Sequence, residues 1–278
     1  MSEITSTDIT EYLDIQDDFD LELFVYRSLL EKGIASSHGG TYIDPHLGKA
    51  RQFDIRASVG FPNVGWELSL AIECKSLNTD FPLIVSRVPR PEFETAHYLV
   101  RTWRIGTIKR IEPFQATGGR LLLYGAGLAV GKHTFQLRRD PPKNSFKTGD
   151  SGSYDKWSQA LASAADLVKS AWSADARYGV TQTFSLVLPM LVVSDGALWV
   201  VDYDERGQRS EPKLVEECQL FVDRTYELEP RGAGTYTITH LHIFTRTGFV
   251  SFLRGIMAPN SLLLERMFGA TARLLGEQ

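Results

Sequence analysis

The chain is poor in cysteine and has no long apolar run. It contains two cysteines, Cys74 and Cys218, which form no metal-binding pair. No segment approaches the roughly 18 consecutive apolar residues that a membrane span needs. The first twenty residues, MSEITSTDITEYLDIQDDFD, are acidic and polar, unlike a secretory signal. We therefore expect a cytoplasmic protein with reduced thiols and no membrane partner.

Basic residues are slightly outnumbered by acidic ones in the chain as a whole, but they are concentrated in one region. The net charge is −4, which argues weakly against a nucleic-acid binder. However, residues 81–149 hold twelve Lys and Arg against four Asp and Glu, and the first 22 residues hold eight acids and no base. Such segregation suggests a polyanion site, although a solvated basic loop would give the same count.

The first periodic segment predicts a helix over residues 18–32 that ends at Gly33. At 100° per residue, Glu22 falls in the same sector as the apolar residues Val25 and Leu29. A glutamate in this sector is unusual for a helix that packs on a core. It could also lie at the edge of the apolar stripe and reach solvent.

Two strands are predicted next, RQFDIRASV at 51–59 and WELSLAIECKS at 66–76. Alternation places Glu73 and Lys75 on the less apolar face of the second strand. A short hairpin around FPNVG would bring Asp54 of the first strand onto that same face. The pattern therefore predicts two carboxylates and an ammonium group close together on one sheet.

The rest of the chain gives weaker structural signals. Residues 81–149 are interpreted as a basic insertion, in which EFETAHYLVRTWR could form a helix. DKWSQALASAADLVKSAW at 155–172 predicts a well-patterned helix. FSLVLPMLVVSD and ALWVVDYD predict buried strands joined by a tight turn at Asp195-Gly196. After residue 206, strand-like runs precede a helical stretch.

The order of a helix with Glu22, a strand with Asp54 and a strand with Glu73-Cys74-Lys75 resembles the restriction-endonuclease-like superfamily. These nucleases are named for the PD-(D/E)XK motif. The resemblance covers residues 18–76 closely and residues 155–203 in element order only. One position departs from the motif, because Phe53 stands in the place of its proline.

The resemblance implies an α/β fold. We expect a restriction-endonuclease-like core with a central mixed β-sheet flanked by helices, a basic insertion and a C-terminal α+β extension. The expected organisation is a nuclease-like domain at 1–205, containing the insertion at 81–149. An accessory segment at 206–278 would pack on the same domain.

The resemblance also implies a metal site. Asp54 and Glu73 would bind Mg²⁺, or Mn²⁺ in its place, because hard oxygen ligands suit an ion that keeps several waters. The backbone carbonyl of Cys74 would be a further ligand, and Glu22 would complete the metal shell or hold a second ion. Lys75 would position or activate the attacking water.

The implied function is Mg²⁺-dependent cleavage of phosphodiester bonds in DNA, in restriction, repair or defence against foreign DNA. The alternative is a catalytically silent nuclease-like module that binds nucleic acid or a protein partner. Cutting of both strands would favour a two-fold homodimer, and a partner protein could supply specificity. The expected contacts to the phosphate backbone come from four arginines, Arg87, Arg90, Arg101 and Arg104.

Three further motifs in the chain give weaker signals. A phosphate loop around Gly131-Lys132 would need glycine at 126 and Ser or Thr at 133, where the chain has Ala126 and His133. His240 and His242 share a strand face and could bind metal, but two imidazoles at this spacing are usually structural. Gln159 resembles a glutamine near the site in some nucleases, although a backbone-bonding role is the simpler account.

Overall fold

A computed structural model describes residues 3–15, 18–45, 47–105, 108–116, 123–149, 151–171, 182–227 and 234–271. The helices in these ranges are α1 (Ser6–Ile15), α2 (Asp18–Glu31), α3 (Ser151–Ala171), α4 (Arg246–Met257) and α5 (Leu262–Phe268). The helices predicted at 18–32 and 155–172 are therefore confirmed as α2 and α3. Among the described helices, none is long and apolar enough to cross a membrane.

The strands of the first half are β1 (Ala35–His38), β2 (Thr41–Ile43), β3 (Ala50–Gln52), β4 (Ile55–Phe61), β5 (Trp66–Lys75), β6 (Leu83–Pro89), β7 (His97–Ile105) and β8 (Ile108–Ala116). Those of the second half are β9 (Ala129–Asp140), β10 (Ser145–Gly149), β11 (Gln182–Val193), β12 (Leu198–Asp202), β13 (Lys213–Leu214), β14 (Glu217–Glu227) and β15 (Thr235–Thr245).

One large mixed sheet organises the described residues. Its strand order is β1-β4-β5-β11-β15-β14-β9-β6-β12-β13, with β10 beside β9 and with β7 joining β11 to β8. β11 runs parallel to both β5 and β15, whereas β4–β5 and β14–β15 are antiparallel pairs. The expectation of an α/β fold with a central mixed sheet flanked by helices is confirmed. β14 and β15, which follow residue 205, share this sheet with the earlier strands.

The two faces of β5 pack against different helices. Leu68, Leu70, Ile72 and Cys74 belong to a core that also contains buried residues of α2, α4 and α5. On the opposite face, Ala71 packs in a second core with alanine and leucine side chains of α3. The small side chain of Ala71 lets the Ala-rich helix α3 approach the sheet closely. The less apolar face of β5 is therefore covered by a helix, which places a helical side chain over Glu73.

Two local predictions were wrong. The strand expected at 51–59 is interrupted between β3 and β4, because the backbone N–H of Phe53 donates to the carbonyl of Gly40 and the N–H of Gly39 donates to that of Asp54. The helix expected in EFETAHYLVRTWR is a short 3₁₀ turn followed by strand β7. The turn predicted at Asp195-Gly196 forms between β11 and β12, which do not pair with each other.

Candidate active site

Asp54 and Glu73 come together because of the β4–β5 hairpin. Ile55 pairs with Ile72 in the register of this hairpin, so Asp54, one residue before β4, lies beside Glu73. The N–H of Asp54 donates to Glu73 Oε1 at 3.4 Å, and Asp54 Oδ2 accepts from the N–H of Cys74 at 2.8 Å. The predicted convergence of the two acids is confirmed. Glu73 is fully buried, whereas Asp54 is only partly buried.

The ammonium group beside these carboxylates belongs to Lys156 of α3. Its Nζ lies 2.7 Å from Asp54 Oδ2 and 3.4 Å from Glu73 Oε2. Lys156 is not among the residues predicted for the site from the sequence. The sequence does contain a signal for it, because Ala160 and Ala164 follow at intervals of four residues on the stripe that faces the sheet. A lysine that begins an inward stripe must reach a polar partner or solvent.

Lys75 occupies a different environment. Its Nζ lies 2.8 Å from Asp18 Oδ2, and the N–H of Ser76 donates to the other carboxylate oxygen of Asp18 at 2.6 Å. Asp18 is the first residue of α2, so this pair joins the end of β5 to the start of that helix. The prediction that Lys75 lies beside the two carboxylates is therefore wrong, because its ammonium group is directed towards α2 and that of Lys156 lies on the carboxylate pair.

Glu22 faces the sheet from α2 and is held by a histidine. Its Oε2 lies 2.9 Å from Nε2 of His38, whose ring stacks on Tyr26 with a centroid distance of 5.6 Å. Burial raises the pKa of Glu22, and the charge of Asp54 adds to this effect, while the hydrogen bond from His38 opposes it. The inward orientation predicted for Glu22 is confirmed. His38, which is not among the residues predicted for this site, fixes the Glu22 carboxylate.

The electrostatics favour a protonated Glu73 in the protein without a bound cation. Burial, reinforced by the adjacent charge of Asp54, raises the pKa of Glu73 to about 9. Burial also works to lower the pKa of Lys156, but the Asp54 and Glu73 carboxylates together raise it above its ordinary range. At neutral pH the site therefore combines one carboxylate, one ammonium group and one carboxylic acid. A cation held between Asp54 and Glu73 would favour the ionised form of Glu73, because it would stabilise the negative charge.

The donor set suits a small, strongly hydrated cation better than a metal held wholly by protein. Within the described ranges, no group of three or more His, Cys, Asp or Glu side chains is arranged to hold a metal ion. Glu22 lies near Asp54 but does not join Asp54 and Glu73 in such a group. Mg²⁺ is commonly bound through one or two carboxylates while it keeps several waters. Asp54 and Glu73 fit that pattern.

The four arginines expected to contact DNA have different surroundings. Arg87 forms a bidentate pair with Asp202, at 2.8 and 3.1 Å, and Arg101 pairs with Glu112 at 2.9 Å. Arg90 is only 2% exposed, and its guanidinium donates to the carbonyl of Gly125 and to Gln219. The expectation that Arg90 contacts a phosphate backbone is therefore wrong, because its charged group lies inside the protein. The side chain of Arg104 lies outside the described residues.

The weaker motifs have structural explanations. Gly131 and Lys132 lie within strand β9 rather than in a loop, so they cannot wrap a phosphate, and Lys132 pairs with the Glu94 carboxylate. His242 Nε2 lies 2.8 Å from the hydroxyl of Tyr124 in a buried cluster. The side-chain amide of Gln159 donates to the carbonyl of Gln52 at 3.1 Å, as the backbone-bonding account expected.

Comparisons with protein-family models, with curated proteins and with solved structures give no match for this chain. The functional interpretation therefore depends on the geometry of the carboxylate–lysine site. We refer to Asp54, Glu73 and Lys156 together as the acid–lysine site.

Proposed function

We propose that this protein is a metal-dependent nuclease of the restriction-endonuclease-like type, which hydrolyses phosphodiester bonds in DNA. The observation that carries the proposal is the acid–lysine site itself. A fully buried glutamate and a partly buried aspartate meet on adjacent strands, with an ammonium group within 3.4 Å of both. Two carboxylates of this kind repel each other unless a cation or a proton lies between them.

The residues of the chain can be given separate roles. Asp54 and Glu73 would hold Mg²⁺, or Mn²⁺, with the carbonyl of Cys74 as a further oxygen donor. When bound, the ion would act as a Lewis acid and lower the pKa of a coordinated water. The ammonium group of Lys156 would orient a water or a phosphate oxygen beside Asp54. Glu22, fixed by His38, would add negative charge next to the ion.

The lysine of the proposed site differs from the one that the PD-(D/E)XK motif would select. The motif assigns the ammonium group to Lys75, two residues after Glu73. In this chain the group beside the carboxylates comes from α3, while Lys75 pairs with Asp18. The chemistry needs a positive charge near the water and the phosphate, and either strand or helix can supply it. We therefore assign the role to Lys156.

A second candidate function follows from the same contact. Lys156 Nζ lies within ion-pair distance of both carboxylates, so the site is already compensated without a metal. This favours a catalytically silent nuclease-like module that binds nucleic acid or a protein partner. A homodimer or a specificity-giving partner protein is compatible with either function and remains a proposal.

The test compares cleavage of supercoiled plasmid by wild type, Asp54→Ala, Lys156→Met and Lys75→Met, with Mg²⁺ or with EDTA. Wild type should cut only with Mg²⁺. Asp54→Ala and Lys156→Met should each lose about 100-fold or more in rate, the size typical of removing a positioned polar group. Lys75→Met is the matched control and should retain cutting within about threefold, since it loses only a half-exposed ion pair.

Two results would reject the nuclease assignment or the role of Lys156. Wild type that retains DNA in a gel but never cuts it, with Mg²⁺ or Mn²⁺, would favour the silent module. Loss of cutting in Lys75→Met with normal cutting in Lys156→Met would return the catalytic role to Lys75.

A further inference from the structure

Part of the basic insertion leaves the large sheet as a two-stranded ribbon. Strand β9 pairs with β6 between Ala129 and Gln136. Beyond Gln136, the only described strand that pairs with β9 is β10. The register of this pair runs from Leu137↔Thr148 to Asp140↔Ser145. We refer to residues 137–149 as the basic arm. A two-stranded ribbon is only marginally stable in water, so ordering these residues costs free energy that their own pairing hardly offsets.

The arm is dominated by exposed positive charge. Its basic residues are Arg138, Arg139, Lys143 and Lys147, against a single acid, Asp140. Arg138 and Lys147 are direct partners in the register, so two cations lie side by side on one face. Like charges directly opposite each other destabilise a strand pair unless an anion lies between them. Asp140 lies 3.2 Å from Lys147, but Lys147 is still 67% exposed.

The other face of the arm carries an exposed aromatic ring. Phe146 is 58% exposed and lies beneath the guanidinium of Arg139, at 5.0 Å from the ring centroid. The contact between ring and guanidinium leaves Arg139 exposed on this face of the arm. Both faces of the arm therefore present cations to a partner at the surface.

The base of the arm is joined to the helix that supplies Lys156. The hydroxyl of Ser153 donates to Gln136 Oε1 at 2.9 Å, and Gln136 Nε2 donates to the carbonyl of Phe81 at 3.0 Å. Lys156 follows Ser153 by three residues, which is about 5 Å along a helix axis. The base of the arm and Lys156 are thus both attached to the start of α3.

We propose that the basic arm binds the phosphate backbone of duplex DNA next to the acid–lysine site. The major groove of B-DNA admits a two-stranded β-ribbon, and ribbon cations can then reach the phosphates on its rims. The proposal deepens the nuclease function and depends on it for the choice of DNA as the polymer. It replaces the expectation that Arg90 makes such contacts.

The test uses a triple variant, Arg138→Gln, Lys143→Gln and Lys147→Gln, in the full chain. The matched control removes the same charge from exposed positions outside the arm, with Arg27→Gln and Arg254→Gln in helices and Lys32→Gln in the turn after α2. Fluorescence anisotropy with a labelled duplex of about 20 base pairs, long enough to span two turns, gives Kd between 50 and 200 mM salt in EDTA. Thermal unfolding of both variants checks that the fold is intact.

The salt dependence decides the outcome. Each lost phosphate contact should reduce the slope of log Kd against log salt by about 1, so the arm variant should lose about 2 to 3. Its affinity at low salt should fall about tenfold or more, whereas the control variant should stay within about twofold of wild type. An unchanged slope in the arm variant, or wild type that binds no duplex at all, would overturn the proposal.

The binding and cleavage results also separate the two proposals. If wild type cuts DNA and the arm variant binds with the wild-type slope, the nuclease assignment stands and the arm proposal fails. If binding depends on the arm but wild type never cuts with Mg²⁺ or Mn²⁺, the arm proposal stands and the nuclease assignment fails.

Discussion

Replacing Glu73 with glutamine should make the metal-free protein more stable at high pH. Glu73 is fully buried beside Asp54, and its pKa is raised from 4.5 to about 9. A carboxyl group whose pKa is higher in the folded state contributes stability at low pH, and this contribution is lost as the pH rises through that interval. Glutamine has nearly the same shape as the protonated acid and does not ionise.

The size of the effect follows from the width of this interval. Each pH unit between 4.5 and about 9 changes the stability by about 1.4 kcal/mol, which gives an upper limit of about 6 kcal/mol. Because a domain is typically stable by only about 5–15 kcal/mol, even half of this limit is measurable. Near pH 5 the variant and wild type should have similar free energies of unfolding. At pH 9 the variant should be more stable by several kcal/mol.

Urea unfolding in EDTA at pH 5, 7 and 9 measures this difference. Glu67→Gln is the matched control, because Glu67 lies on the same face of β5 but is partly exposed and accepts a bond from Ser58. Its difference from wild type should stay constant across the three pH values. Excess Mg²⁺ should narrow the gap at pH 9 by stabilising wild type alone. A gap between Glu73→Gln and wild type that does not grow with pH would refute the charge assignment of the site.

Two further predictions concern packing. A Cβ atom at Gly248 would lie 2.0 Å from the carbonyl oxygen of Glu216, so Gly248→Ala should destabilise the protein by about 3 kcal/mol in urea unfolding. Gly152→Ala, in a helix with open space around that position, should instead be neutral or stabilise by about 0.5 kcal/mol; equal effects would contradict this account. Burial raises the pKa of the Cys74 thiol and that of Cys218, so a thiol-reactive dye should label them only in denaturant. Rapid labelling of the native protein would show that these thiols are not enclosed.

The parts of the fold that depend on local patterns could be predicted from the sequence. Alternation along 66–75 identified strand β5 and the faces of its residues, and the turn around FPNVG identified the hairpin that brings Asp54 to Glu73. The helical periodicity also placed Glu22 in the apolar sector of α2, but it left open whether the carboxylate reaches solvent at the edge of that stripe. In each case a repeat of two or 3.6 residues decides which side chains meet the sheet.

The parts that depend on distant partners could not be predicted. Lys75 has the right spacing for the motif, but its partner Asp18 lies 57 residues away in the chain. Lys156 reaches Asp54 across 102 residues, and no local pattern specifies that α3 covers this part of β5. Residues 97–105 have an apolar pattern that a helix or a strand could satisfy. Pairing with β11 and β8 decides in favour of the strand.

The position of β15 has a consequence for synthesis of the protein on the ribosome. β15 lies between β11 and β14 in the sheet, although it is the last strand of the described residues. Until residues 235–245 have emerged, one edge of the apolar strand β11 has no parallel neighbour along Met190–Val193. Unpaired edges of this kind promote aggregation between nascent chains. Premature termination before residue 245 should therefore yield inclusion bodies rather than a shorter native protein.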